Sequence, residues 1–581
     1  MGSRSEMKTP ANASPIEEPQ QTGPSSKRQH LRTVEVLTVA FFLIVSLVVI
    51  HHRAILSGFA IIDGGGDSVL SNIALEHEWR WVSGDPVHRD LWSPPNFFPE
   101  RETAAYTDLL LGVSPLYDIW RVWGASIQTA FQLWMLTISV LNYAGAYLLL
   151  RLLVRVSVPA GAIGAFLFAF GSPRIMQIGH QQLLPGFYVV AAFAGLYILL
   201  SETPADLTPR RAVTGLMLFT GGVVAQLYTA FYYAWFMAFC VAVALFIALL
   251  VPALRNRLVS FVRIFWRPVC LSILLAIVLL APAAMLYEHA LKTVGPRQYS
   301  EVQHFLPTLE AWFAQGPQHW IYGQLNRKMG IDQSFGGEEM FNGIGPVTTG
   351  LVLMGFILFR RRRAMLIWGA VCGVAVAAVL VWPGGFSLWR FVYDYFPGAQ
   401  AVRAVSRFGV FLLLPASMSL ALSVDWIARR IHPLAAVLCM LVVFVEQAGS
   451  STGTRSYSQV SVEGPAEGIA HQLRPECRTF LVSFPANQTS VPWMQIYGMW
   501  ASLLSEVPTL NGYSGQVPPH WPLGDVSVGG PADRSRLYGE IQEWMHQHAR
   551  EIPNVCWVLS DGTGTTMIQN PEAPRDDLPA R

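Results

Sequence analysis

Residues 58–81, GFAIIDGGGDSVLSNIALEHEWRW, and their continuation 96–115, NFFPERETAAYTDLLLGVSP, decide how this chain is read. They lie between an apolar run ending near Ile50 and another beginning near Ile127, a connection far longer than a helix hairpin needs. Three carboxylates, Asp63, Asp67 and Asp108, stand in it at the edge of apolar sequence. Acids set in such a loop at a membrane surface are where a polytopic enzyme would deprotonate a hydroxyl. After GGGD, the residues Val69, Leu70, Ile73, Ala74 and Trp81 recur at helical spacing, which predicts a helix lying on the membrane surface with Asp67 as its N-cap. Asp67 then has two compatible readings. It is a cap, or it is a base kept ionised by the positive end of the helix, with the glycines admitting a substrate. The same spacing puts Glu78 on the face of Asp67 and turns Glu76 away, so that Glu76 is expected only to be solvated. Asp108, just before LLLG, reads either as a helix cap or as a second acid.

Around this loop the composition is that of a membrane protein: 52% of the 581 residues are hydrophobic and 13% charged, against about 25% charged in a soluble domain. About eleven apolar segments approach the length a bilayer demands, so the expected fold is mainly α, a polytopic helical membrane protein. Residues 1–33 are polar and read as a disordered cytoplasmic tail. Residues 34–448 form the transmembrane domain, with 53–125 as its long first outer loop. Residues 449–581 alternate helix-like and strand-like stretches and read as a small α/β extracytoplasmic domain with a frayed end.

Orientation follows from arginine. Arg151 and Arg155, Arg210 and Arg211, Arg255 to Arg267, Arg360 to Arg363, and Arg429 with Arg430 fall in every second loop, which makes those loops and the N-terminus cytoplasmic. The net charge of +2, spread between spans, gives no sign of a nucleic-acid partner. Cys240, Cys270, Cys372 and Cys439 lie in apolar runs and read as small hydrophobes. Cys477 and Cys556 each open a strand-like run, and are either a disulfide across neighbouring strands or two free thiols.

Other outer segments add polar groups at the same surface. GSPRIMQIGHQQLLP carries Arg174, His180 and Gln181; His180 is a satisfied structural residue or part of a site, and no second histidine at metal-ligand spacing accompanies it. Tyr228, Tyr232 and Tyr233 read as an aromatic belt. In PGAQAVRAVSRFG, Arg403 and Arg407 stand one helical turn apart, suited to a phosphate or to snorkelling, and Arg297 is a further phosphate candidate. The absence of a phosphate loop, HExxH or GxSxG in a suitable context argues against an ATPase, a zinc protease or a serine hydrolase, so the energy of any reaction arrives in the substrate.

With these residues the chain resembles the GT-C superfamily of polytopic membrane glycosyltransferases, and more closely a group of bacterial membrane proteins within it. The likeness is carried by GGGDSVLSNIALEHEWR, NFFPERETAAYTDLLLG, FAFGSPRIMQIGHQQLLP, EEMFNGIGP, PGAQAVRAVSRFG and MWASLLSEVPTLNGYSGQVPPHWP. It implies transfer of a sugar from a polyprenyl-phosphate donor to a cell-envelope glycan or lipid acceptor at the outer face of the bacterial inner membrane. By that likeness Asp67 takes the acceptor proton, Asp108 orients the acceptor, and Arg403 and Arg407 hold the donor phosphate. Metal-using members often show a DxD-like pair, whereas only the wider Asp63 and Asp67 spacing occurs here, so neither a metal nor a cofactor is expected. The NGYSG element, 511–515, is either a lid or an ordinary turn, and Tyr513 and Trp521 either stack on a sugar or pack the lobe. A transporter or flippase of lipid-linked substrates, or a non-catalytic scaffold of the same fold, is the alternative.

Overall fold

The computed structural model describes residues 24–328, 337–361, 363–548, 555–560 and 566–569. Among them, eight helices are long and apolar enough to cross a membrane: Ile127–Val154, Val158–Met176, Gln181–Ser201, Pro209–Thr229, Phe231–Leu250, Trp266–Val294, Val405–Arg430 and Pro433–Ser451. Three shorter apolar helices, Glu35–Ile50, Pro346–Leu358 and Met365–Val379, stand where the sequence expects further spans. The first helix starts at Pro24, so the tail expected to be disordered through residue 33 is helical in its last part. Lys, Arg, Gln and Leu there are good helix formers and extend the apolar helix outward. Residues 1–23 and the end expected to fray, 570–581, lie outside the described residues.

Small residues determine which helix is central. In Val158–Phe170 every residue from Ala160 onward is buried, and a Cβ on Gly164 would stand 2.9 Å from Ala421 Cβ and 3.0 Å from the Ser417 carbonyl. Without side chains at such points two helices approach to backbone contact, the main source of packing where lipid is as apolar as leucine. Trp266–Val294, by contrast, leaves Leu271, Ile273, Leu274 and Ile277 exposed, as a helix at the edge of the bundle does.

The C-terminal lobe is an α/β unit. Its sheet has the order β4 (Ser527–Val528), β3 (Thr479–Pro485), β5 (Val555–Ser560), β6 (Thr566–Gln569), parallel except between β5 and β6. Val491–Ser505 and Pro531–Gln547 are its longer helices. Cys477 and Cys556 are joined by a disulfide with Cα atoms 5.6 Å apart, closing 79 residues of chain. Chain-entropy arguments put such a closure at about 4.5 kcal/mol. Cys477→Ser with Cys556→Ser is therefore expected to lower the lobe's unfolding midpoint measurably; an unchanged denaturation curve by near-ultraviolet dichroism would contradict this.

Two connections bring the lobe over the first outer loop. Strand β1 (Ile61–Asp63) pairs antiparallel with β2 (Ser456–Ser458), just after the last span. The amides of Phe97 and Phe98 donate to the carbonyls of Asn511 and Thr509, each at 3.0 Å. The Asn511 side chain is clamped in turn to the backbone of Val482 in β3, at 2.7 and 3.1 Å. NGYSG is thus held beside β3 and against the first outer loop, which carries Asp67.

Candidate functional site

The helix of Asp67 runs Gly66–Val82, with Gly65 as N-cap. Asp67 sits in the first turn rather than at the cap expected from sequence, because Ser68 accepts the Gly65 amide at 3.3 Å and leaves the aspartate side chain free of capping. Gly64 is required here: its φ is +125°, and a Cβ would lie 1.7 Å from Ser68 Oγ. Gln181 donates to that hydroxyl at 2.5 Å and fastens the 171–185 loop alongside. Arg174 holds the same loop from within, donating to the carbonyls of Phe168, Leu183 and Leu184. Its role is structural.

This fastening delivers His180 to Asp67. Nε2 of His180 lies 3.1 Å from Asp67 Oδ2 and 3.4 Å from Oε1 of Glu339. Facing two acceptors, Nε2 carries a proton. Tyr513 OH donates to the other oxygen, Asp67 Oδ1, at 2.5 Å. Tyr513 thus packs against the lobe core and also reaches Asp67, and in this state is not a sugar platform; Trp521 packs as well, edge to face on Phe97 at 4.9 Å. Burial alone would raise the carboxyl of Asp67, but the bonds from His180 and Tyr513, with the charges of His180 and Arg407, outweigh it and hold the group down at about 2. Asp67 is ionised at neutral pH.

Glu339 was not singled out from sequence; the only signal was its place in the acidic pair of EEMFNGIGP. Arg407 makes a fork with it, Nε to Oε2 at 3.0 Å and Nη2 to Oε1 at 2.7 Å, and both side chains are buried. Burial raises Glu339, and Arg407 and His180 more than reverse that, leaving it below the usual range. The Arg407 guanidinium lies 4.7 Å from the ring centre of Tyr232. The hydroxyl of Tyr232 accepts from the amides of Arg403 and Ala404, at 3.3 Å each. Tyr232 is thus part of the site rather than of an interfacial belt.

The two arginines do not share a helix face. Residues 399–401 and 405–407 are separate 3₁₀ turns, and the amides of Arg403 and Ala404 turn to Tyr232 instead of to a helix carbonyl. Arg403 is 34% exposed, 3.8 Å from Glu301, with its guanidinium over Phe305. Arg297 is bonded to Glu301 at 3.2 Å and to the Gly515 carbonyl, which ties the outer loop to NGYSG.

Asp108 caps a helix, but a distant one: its Oδ1 accepts the amide of Phe231, first residue of a span, at 2.6 Å. Burial dominates and raises its carboxyl to about 6, against the pull of Arg407, the Phe231 amide and His180. Because the folded value exceeds the ordinary 3.8, the stability carried by the neutral carboxyl is complete below 3.8 and is lost as pH rises through about 6. The difference is worth about 3 kcal/mol. Asp108→Asn, which keeps the acceptor for Phe231, is expected to melt higher than wild type at pH 8 and equally at pH 4; parallel curves across that range would rule this out. Glu76, expected to be solvated, is instead buried, paired with Arg80 and Arg121 at 3.0 Å and accepting from Tyr117. Those partners lie on and beyond its own helix, and helical phase alone does not reveal them. Glu78 is buried too.

Asp67, His180, Glu339, Arg407 and Tyr513 thus form one chain of hydrogen bonds and ion-pair contacts, with Asp108, Arg403 and Arg297 around it. Among the described residues no three His, Cys, Asp or Glu side chains are arranged to hold a metal ion.

No family model matches the chain, and no curated protein does. Solved structures do. The oligosaccharyltransferase of Archaeoglobus fulgidus in complex with zinc and sulfate aligns with a TM-score of 0.51 at 13% identity, over 90% of this chain and 67% of that one. The oligosaccharyltransferase AglB from the same organism, with an inhibitory peptide and a dolichol-phosphate, aligns with a TM-score of 0.53 at 12% identity, over 91% and 70%. ArnT from Cupriavidus metallidurans in the apo state aligns with a TM-score of 0.46 at 12% identity. At the level of fold, the chain is similar to these oligosaccharyltransferases: a polytopic helical body with a small lobe containing β-strands.

Proposed function

We propose that this protein is a membrane glycosyltransferase of the bacterial group its motifs resemble. It would take a sugar from a polyprenyl-phosphate donor and pass it to a glycan or lipid acceptor at the outer face of the inner membrane. One observation carries the reading: an ionised, partly accessible carboxylate and a set of guanidinium groups, drawn from distant stretches of chain, meet at one end of the helical body. The fold shared with the archaeal oligosaccharyltransferase, one structure of which holds a dolichol-phosphate, supports the donor class.

In this reading the Tyr513 hydroxyl occupies the place an acceptor hydroxyl takes on Asp67. The acceptor oxygen forms its bond to the anomeric carbon as the bond from that carbon to the phosphate oxygen breaks; the proton goes to Asp67 and polyprenyl phosphate leaves with the electron pair. A carboxylate held as low as about 2 is a weak base, which suffices when the hydroxyl becomes acidic only as the new bond forms. His180 keeps Asp67 oriented, and Glu339 holds His180 and Arg407 in register. Asp108 orients the acceptor. Arg403, the more exposed arginine, meets the phosphate directly, with Arg297 beside it, while Arg407 adds its charge from behind Glu339.

An apolar cavity of about 250 Å³ between the helices, lined by Phe193, Met237, Trp368 and Phe411, supports a lipid tail. Phe411 is one turn beyond Arg407. None of the charged groups of the cluster stands in the middle of a span, which supports surface chemistry over carriage of a substrate across the bilayer. The test is transfer of radiolabelled sugar from a polyprenyl-phosphate donor by protein in liposomes. Arg403→Ala is expected to weaken binding of polyprenyl phosphate about tenfold, as loss of a charge-assisted bond does. Equal affinity in the variant would return Arg403 to membrane anchoring.

A further inference from the structure

Beside Asp108 lies a second, smaller pocket of about 40 Å³. That holds about three waters, so it admits a side arm of a sugar and not the ring. It borders the site: Asp108 is in its wall, Leu70 stands one turn from Asp67, and Ser514 follows Tyr513. Three polar atoms of the wall, Glu78 Oε2, Thr103 Oγ1 and Ser514 Oγ, are buried without a hydrogen-bond partner. Buried polar atoms are almost always bonded, and three orphans around one small space point to a ligand that supplies what they lack. The remaining wall is largely apolar, with Ile73, Leu91 and Leu109.

We propose that this cavity receives the acetamido arm of an N-acylated amino sugar. A secondary amide has one N–H donor and a carbonyl with two lone pairs. The hydroxyls of Thr103 and Ser514 fill the two lone pairs, Glu78 Oε2 takes the N–H, and the methyl group lies on the leucines and isoleucine. A hydroxymethyl arm matches the polar atoms but leaves the apolar wall unused. Burial pushes the carboxyl of Glu78 well above its usual range, a bond from Ser114 opposing and Asp118 adding.

The inference deepens the glycosyltransferase reading and rests on it; the amino sugar is carried by the donor lipid or by the acceptor, and the experiment separates the two. In nanodiscs, binding is measured for polyprenyl phosphate bearing N-acetylglucosamine against the same lipid bearing glucose. In a second arm, methyl N-acetylglucosaminide is compared with methyl glucoside by saturation-transfer NMR. A preference of about tenfold for the N-acetyl form is expected in one arm, which identifies the source. Thr103→Val and Ser514→Ala, nearly isosteric, should each reduce that preference about three- to tenfold. They should leave the melting temperature of the free protein unchanged or raised, since each removes an unbonded hydroxyl. Equal binding of both sugars in both arms, or a preference untouched by both variants, overturns the inference. Sugar turnover is scored separately: preference without turnover would keep this pocket and remove the transferase, and turnover without preference would do the reverse.

Discussion

Asp67→Asn is expected to reduce sugar transfer by about 10²- to 10⁴-fold, the range over which a positioned base contributes, while donor lipid binds as before. The amide keeps an oxygen for the Tyr513 hydroxyl and is close in shape to the acid, so the change falls on the charge and the proton acceptor. The effect on folding is smaller. With its folded value near 2 against an ordinary 3.8, Asp67 contributes stability that is present above 3.8 and lost as pH falls through about 2. Its side chain is 37% exposed, so screening leaves about 1 kcal/mol of that at neutral pH. A variant that melts near wild type, retains lipid and has lost turnover is the expected result, read in one liposome preparation by calorimetry, lipid retention and sugar release. Turnover within threefold of wild type would reduce Asp67 to a structural residue of its helix.

Glu339→Ala is the change expected to harm stability most. It leaves the Arg407 guanidinium, 4% exposed, without a carboxylate in a buried site, a loss of about 3–5 kcal/mol. It also removes the second acceptor of His180 and loosens the hold on Asp67. The double change Glu339→Leu with Arg407→Met distinguishes pairing from packing: it removes both charges at similar volume and should recover most of the melting temperature without recovering lipid-dependent turnover. If Glu339→Ala melts within a degree or two of wild type, the pair is not holding the site together.

The two experiments bear on residues of unequal legibility. Asp67 stood out because glycines preceded it and a helical pattern followed it, both local signals. His180 reads as a structural residue or as part of a site, and Tyr513 as lobe packing or as a sugar platform. Glu339 has only its place in the acidic pair of EEMFNGIGP, since its partners, His180 and Arg407, are elsewhere in the chain. Glu76 failed in the opposite direction. Helical phase turned it toward solvent, and a neighbouring helix brought Arg121 and Tyr117 there. The arginine pair was misplaced for the same kind of reason: four residues of spacing imply one face only if the backbone is helical, and Tyr232 takes the amides that would have made it so.

Spans, the long loop and the α/β lobe were written locally, because hydropathy, strand patterning and breakers act over a few residues, and a bilayer imposes one length on any helix that crosses it. Even the disulfide was half visible, each cysteine opening a strand. Which acid meets which base was decided by tertiary structure alone. Asp67 and Tyr513 are 446 residues apart, and they touch only because β1 pairs with β2 and the amides of Phe97 and Phe98 dock on the lobe. Electrostatics falls with distance in space, not along the chain, so the charge state and partners of each candidate residue belong to the folded molecule.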